Sequence, residues 1–326
     1  MWLAIRFILA QQVPPLALSR YAIPAPIFGP GRKNQLIFIL SRLGIKHRML
    51  IQAHWRKSMA QDLIRRATRA LRRQGAFLSG VMLTQSEEKR AAEAAQFWSE
   101  SENNETIKDK SHWRGFGRYA DDDVWLKIGH TRLHELESLL ALAGRGPAQS
   151  MIEWGPGGGS NAVALAPTMQ KFYGVDISQA NLDECGRQLR SVGFTNYDPV
   201  LVDPANIDLV KDACLAGIEP VDFFLSVAVF QHFPSKAFGL EILSLANRLM
   251  KPDGVALIQI RYDDGSIRMR AKNSNYRENA MFFTSYKIDE FWIAAEERGF
   301  RPLALKLMPE VCYAYYFLAK AGSQAT

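Results

Sequence analysis

The stretch Glu153-Trp154-Gly155-Pro156-Gly157-Gly158-Gly159 limits what this chain can become more than any other. It follows an apolar run at 151–154 and precedes a helical pattern at 162–169. Residues without a Cβ let the backbone turn tightly and approach a neighbour or a ligand closely. The helix start that follows offers free amides and the positive end of a dipole.

The same alternation continues downstream. Apolar runs at 171–175, 199–202, 221–227 and 255–262 read as strands, with helical stretches at 179–192 and 235–250. Strands alternating with helices predict a parallel sheet covered on both faces. The last two runs, 303–308 and 312–319, have only a short turn between them, which predicts antiparallel pairing at that end. The expected fold class is α/β: a doubly wound, mostly parallel seven-stranded sheet with an antiparallel C-terminal strand pair. A basic, partly helical N-terminal extension precedes it.

Charge divides the chain unevenly. Residues 1–80 hold fourteen Lys/Arg and one acid, while the remainder holds twenty-six Lys/Arg and thirty-two acids. Asymmetry of this kind points to an anionic partner. Within the arm, 54–74 reads as an amphipathic helix: Met59, Ala60, Leu63, Ile64, Ala67, Ala70 and Leu71 share one face, and Lys57, Arg65, Arg66, Arg69, Arg72 and Arg73 lie on the rest. Three roles suit it: packing on the body, lying on an anionic membrane surface, or holding RNA. The expected domains are therefore the extension 1–80, a polar linker or loop over 81–114, and a catalytic body over 115–326. Asp121 is placed to cap a helix running to Ala143. Arg6 interrupts the first apolar stretch, so a secretory signal is not expected. No run approaches the ~20 apolar residues of a membrane-spanning helix. Three widely spaced cysteines suggest neither a disulfide framework nor zinc, and a cytoplasmic location follows, with the membrane surface as a possible station for the arm.

A dinucleotide fingerprint GxGxxG would need a glycine at 160, where Ser160 stands. The spacing is instead an acid followed by GxGxG, which resembles motif I of the class I S-adenosylmethionine-dependent methyltransferases. Other segments resemble that family in the same order: Tyr173-Gly174-Val175-Asp176-Ile177-Ser178, Leu201-Val202-Asp203, 221–226, and Lys251-Pro252-Asp253-Gly254 before the fifth strand. The resemblance covers about residues 115–320 and implies S-adenosyl-L-methionine as cofactor. It implies that Gly155, Gly157 and Gly159 pass beside the methionyl part and that Glu153 orders this loop. Asp176 would accept from the ribose hydroxyls, with Ile177 beside it, and Asp203 would lie near the adenine. The alternatives are a nicotinamide-dependent oxidoreductase or a non-catalytic cofactor-binding module.

For the acceptor, His232 follows the fourth strand and is a candidate general base. Tyr262, Arg268, Arg270 and Tyr276 lie in an insertion that resembles an acceptor lid. The expected acceptor is an oxygen of a small polar metabolite or saccharide-type molecule, with RNA as the alternative. DNA is not expected, because no Asn-Pro-Pro-Tyr-like motif follows the fourth strand and no cysteine lies near the site. No catalytic metal is expected: His130 and His134 lack the third ligand of a zinc site.

Overall fold

The structure, a computed structural model, describes residues 84–322. They all belong to the second of the two units into which the chain divides, 76–326. The basic helix expected at 54–74, and with it the membrane and RNA roles, lies outside the described residues.

The body is one seven-stranded sheet. Its strands are β1 Ser150–Trp154, β2 Lys171–Asp176, β3 Tyr197–Leu201, β4 Val221–Ser226, β5 Met250–Arg261, β6 Phe300–Met308 and β7 Tyr313–Lys320. Their spatial order is β3-β2-β1-β4-β5-β7-β6. The first five pair in parallel, while β7 runs antiparallel to both β5 and β6. This is the sheet that the alternation of apolar runs predicts. The order reverses between β1 and its two neighbours, which opens a crevice at the carboxyl ends of the central strands.

Helices cover both faces. In chain order they are α1 Glu87–Ser99, α2 Glu105–Lys110, α3 Asp122–Ala143, α4 Ser160–Leu165, α5 Gln179–Ser191, α6 Ile207–Gly217, α7 Lys236–Leu249, α8 Tyr276–Asn279 and α9 Ile288–Glu297. Asp121 caps α3 as expected, its carboxylate accepting from the Asp123 amide, and Gly144 ends the helix in a left-handed conformation. Central strands are apolar on both faces because both are covered. Ile152 and Phe224 pack on one side, Met151, Phe172 and Phe223 on the other, and all are fully buried. Each such side chain contributes about 1.5–3 kcal/mol of burial.

One expectation is corrected. The stretch read as a polar linker, 81–114, carries the helices α1 and α2. Its composition is polar, yet Ala91, Ala94, Phe97 and Trp98 recur three and four residues apart and are buried. Ala94, Phe97 and Trp98 pack with Ile107, Tyr276, Ala280 and Phe283 in a cluster of their own. Helical spacing of a few apolar residues outweighs the average polarity of the segment.

Candidate active site

A cavity lies beyond the carboxyl ends of β1, β2 and β4, where an open parallel sheet places its ligands. Its floor is Trp154, Gly155, Pro156 and Gly157 after β1, with Val175, Asp176 and Ile177 at the end of β2. Val202 and Pro204 follow β3, and Ala228, Val229 and His232 follow β4. Ala94, Trp98, Lys110, Ser111 and His112 form the opposite wall.

The loop turns through Gly155, Gly157 and Gly159, all at positive φ (75°, 51° and 82°). A second constraint is equally physical. A Cβ on Gly157 would collide with the Ser111 carbonyl, and one on Gly158 with the His112 carbonyl. The Gly158 amide donates to that Ser111 carbonyl at 2.7 Å. These glycines are thus required by the segment that closes over the loop as well as by the turn itself.

Glu153 does not line the cavity. It is fully buried beneath the loop, and its Oε1 accepts from Asn161 Nδ2 at 2.7 Å. Burial pushes its carboxyl up to about 8, against the opposing pull of that hydrogen bond. Asn161, at the start of α4, does line the cavity, and its Oδ1 is buried without a partner among the described residues. So is the hydroxyl of Ser111 on the facing wall. Buried polar atoms left unpaired beside a cavity fit a polar ligand that satisfies them.

Asp176 ends β2 and accepts from the Ser178 amide (2.9 Å) and from Asn181 Nδ2 (3.4 Å). Burial raises its carboxyl to about 6, while those hydrogen bonds hold it down, so it is ionised at neutral pH. Trp113 Nε1 donates to Asn181 Oδ1 at 2.9 Å, which links the upstream segment to this carboxylate through one residue. Ile177 lines the cavity beside it. Asp203 does not. It is exposed, and its Oδ1 accepts from the Ala205 amide at 2.9 Å, a local turn that Pro204 favours. At that strand end the cavity is met by Val202 and Pro204.

His232 sits in a 3-10 turn after β4, with Trp98 edge-on at 4.8 Å between ring centroids. Its Nδ1 lies 2.6 Å from the Ala280 carbonyl. A carbonyl can only accept, so Nδ1 carries the proton and Nε2 keeps its lone pair, towards which Gln231 Nε2 points at 3.3 Å. Burial pushes this imidazole down to about 4, so it is neutral at physiological pH.

The expected lid residues lie elsewhere. Tyr276 is fully buried in α8; its hydroxyl donates to the His232 carbonyl at 2.6 Å and accepts from Trp98 Nε1 at 3.0 Å. It supports the backbone of His232 and does not meet the cavity. Tyr262, Arg268 and Arg270 do not line it either, and both arginines are exposed. The insertion buries Met269, Tyr276, Ala280 and Phe283, which turns its charged residues outward. Arg261, fully buried at the end of β5, holds it by donating to the Phe282 carbonyl at 2.6 Å.

Several lining residues escape sequence reasoning, among them Asn161, Ser111 and the two basic residues Lys110 and His112. His112 has a left-handed backbone, φ 59°, which costs a residue of this kind on the order of 1–3 kcal/mol. Its carbonyl accepts from Trp125 Nε1 at 2.7 Å, and that bond and the packed glycine loop hold the conformation. Among the described residues no group of three or more His, Cys, Asp or Glu is placed to hold a metal ion. None of the described helices is long and apolar enough to cross a membrane.

Comparison with known proteins agrees with this arrangement. A family model described as a methyltransferase domain matches residues 128–305, more than half of the chain. The chain belongs to that family, the class I S-adenosylmethionine-dependent methyltransferases with a Rossmann-like fold, and S-adenosyl-L-methionine is its cofactor. Similar solved structures include an S-adenosylmethionine-dependent methyltransferase from Clostridium acetobutylicum ATCC 824, at 14% identity over 58% of this chain and 89% of that one, TM-score 0.45. Another is magnesium protoporphyrin IX methyltransferase from Synechocystis PCC 6803 with bound SAH (14% identity, 70% and 97% coverage, TM-score 0.49). A third is the N-methyltransferase NodS from Bradyrhizobium japonicum WM9 in complex with S-adenosyl-L-homocysteine (10% identity, 57% and 86% coverage, TM-score 0.43). No curated protein sequence matches the chain.

Proposed function

We propose that the protein methylates an oxygen of a small polar acceptor, with His232 as the base that receives the hydroxyl proton. The observation that carries this reading is the hydrogen bond from His232 Nδ1 to the Ala280 carbonyl, which makes Nε2 the acceptor nitrogen of a residue that lines the cavity. A hydroxyl is a poor nucleophile until its proton is removed, and a positioned base contributes about 10²–10⁴-fold.

When bound, S-adenosylmethionine supplies an activated methyl group on a sulfonium centre. The residues present fit its polar parts. The ionised Asp176 accepts hydrogen bonds from the two ribose hydroxyls. Ile177 and Val202 offer apolar walls to the adenine. Asn161 Oδ1 and the Ser111 hydroxyl satisfy the methionyl end, with the glycine loop passing beside it and Glu153 fixing Asn161 from below. Alignment of acceptor and donor then supplies much of the rate.

The test is transfer from a donor carrying a ¹³C-methyl group to a small-molecule cell extract. An oxygen-bound methyl resonance is expected, reduced about 100-fold in His232→Gln with affinity for S-adenosylhomocysteine unchanged. A nitrogen-bound methyl, or full transfer by the variant, would overturn the reading.

A further inference from the structure

The wall facing the glycine loop has a charge pattern that the transfer reaction alone does not require. Lys110, His112 and His232 all line the cavity, and among the described residues the only carboxylate lining it is Asp176, already engaged by Ser178 and Asn181. Among the described residues no carboxylate reaches Lys110; its ammonium lies over the Phe97 ring, 5.1 Å from the centroid. Among the described residues the His112 imidazole has no hydrogen-bond partner; the Tyr119 ring lies 4.8 Å away, and the charges of Arg118 and Asp109 act on it with opposite sign. All three groups share the lining of the one cavity.

Lys110 thus brings one positive charge to a cavity wall whose two imidazoles are neutral, and among the described residues no anion pairs with it. The Trp125 hydrogen bond and the packed glycine loop hold the strained backbone at His112 in place. The same set becomes favourable once an anion enters, because charge-assisted hydrogen bonds strengthen in a water-poor site. An ammonium on a flexible stem suits carboxylate and phosphate alike.

We propose that the acceptor is anionic, and that Lys110 and His112 hold its carboxylate or phosphate while its hydroxyl lies at His232. This rests on the reading of the cavity given above and adds a substrate class to it. No proton or electron need move at Lys110 or His112; they bind and orient.

The full chain, labelled donor and a small-molecule extract split on an anion exchanger provide the test. Label is expected in the retained fraction. Lys110→Met should raise the KM for that fraction tenfold or more with kcat little changed, Lys110→Arg should recover most of the loss, and His112→Asn should raise KM several-fold. Affinity for S-adenosylhomocysteine should stay within about twofold throughout. In a separate measurement, benzoate and phenyl phosphate are added to protein loaded with S-adenosylhomocysteine. The one that raises Tm in wild type but not in Lys110→Met identifies the anionic group.

Label confined to the unretained fraction would overturn the proposal and leave the oxygen-methylation reading standing. A parallel loss of S-adenosylhomocysteine affinity in Lys110→Met would place the lysine on the cofactor and likewise overturn it. If neither anion raises Tm, the anionic site is refuted. Absence of label from both fractions would count against the function and the acceptor class together.

Discussion

The two walls of the cavity are built in opposite ways. The wall at the strand ends, from Trp154 to Asp176 and on to His232, is made of short turns whose residues are dictated by backbone geometry. The facing wall, Ala94 to His112, is a helical segment whose contact residues are ordinary in type and specific only in placement. One wall announces itself through glycines and acids at fixed spacing. The other is defined by what it touches: the Ser111 carbonyl bonded to Gly158, Trp98 bonded to Tyr276, and Arg277 paired bidentately with Glu100. A turn motif is therefore legible from residue type, and a packed segment only from its contacts.

The comparison breaks most sharply at Asp176. If the strand-end wall binds the cofactor, Asp176→Ala removes an ionised acceptor of two hydrogen bonds, each contributing about 1.5–3 kcal/mol. Calorimetry should then show affinity for S-adenosylhomocysteine falling by about 100-fold or more. Asp203→Ala is the internal control, because Asp203 is exposed and bonded only to its own turn. Equal losses in the two variants would mean that the wall has been drawn in the wrong place.

Gly158→Ala tests the joint between the walls. Gly158 does not have positive φ, so alanine meets no backbone strain there. The only obstacles are the His112 carbonyl and, 2.6 Å away, Trp113 Cα. Because both are backbone atoms, the segment must move to admit the methyl group. Affinity for S-adenosylhomocysteine should drop about tenfold, and amide exchange should quicken over residues 105–119 while the sheet stays protected. Unchanged exchange in that segment would show that the two walls are not mechanically joined.

How much of this was legible in the sequence follows the same division. The sheet was readable because each buried strand is an apolar run and each helix has a cap or a breaker, as at Asp121 and Gly144. The loop, Asp176 and His232 were readable because their positions relative to a strand end are set by topology. Asp203 fell outside the cavity because one turn, closed by its own carboxylate, is enough to rotate a side chain away. Tyr276 was read as part of an acceptor lid, yet its ring fills the space between Phe97 and Phe283. The helix α6 went unread, although Asn206 caps it through the amides of Asp208 and Leu209. The signal for α1 was present in the spacing of Ala91, Ala94, Phe97 and Trp98. For His112 no signal existed: a left-handed histidine is imposed by tertiary contacts, and local sequence does not encode it.

The last expected effect concerns the carboxyl beneath the loop. Burial raises the Glu153 carboxyl to about 8 from an unfolded value near 4.5, so the folded chain keeps a proton that the unfolded chain releases between those two values. Its contribution to stability is complete below about pH 4.5 and is lost as pH rises to about 8. Asp176 acts in the same direction over a lower window, up to about 6, whereas His112 and His232, both lowered to about 4, lose stability as pH falls from 6.5. The wild-type pH curve mixes all four, and the difference between two proteins isolates one. Glu153→Gln retains an oxygen for Asn161 Nδ2 and cannot ionise, so it carries none of the Glu153 slope. Without cofactor, the Tm of Glu153→Gln relative to wild type should therefore rise steadily from pH 5 to pH 8 and then level off. A difference that is flat across that range would mean that Glu153 is ionised under the loop. In that case the carboxylate, not its protonated form, would be what holds Asn161 at the cavity.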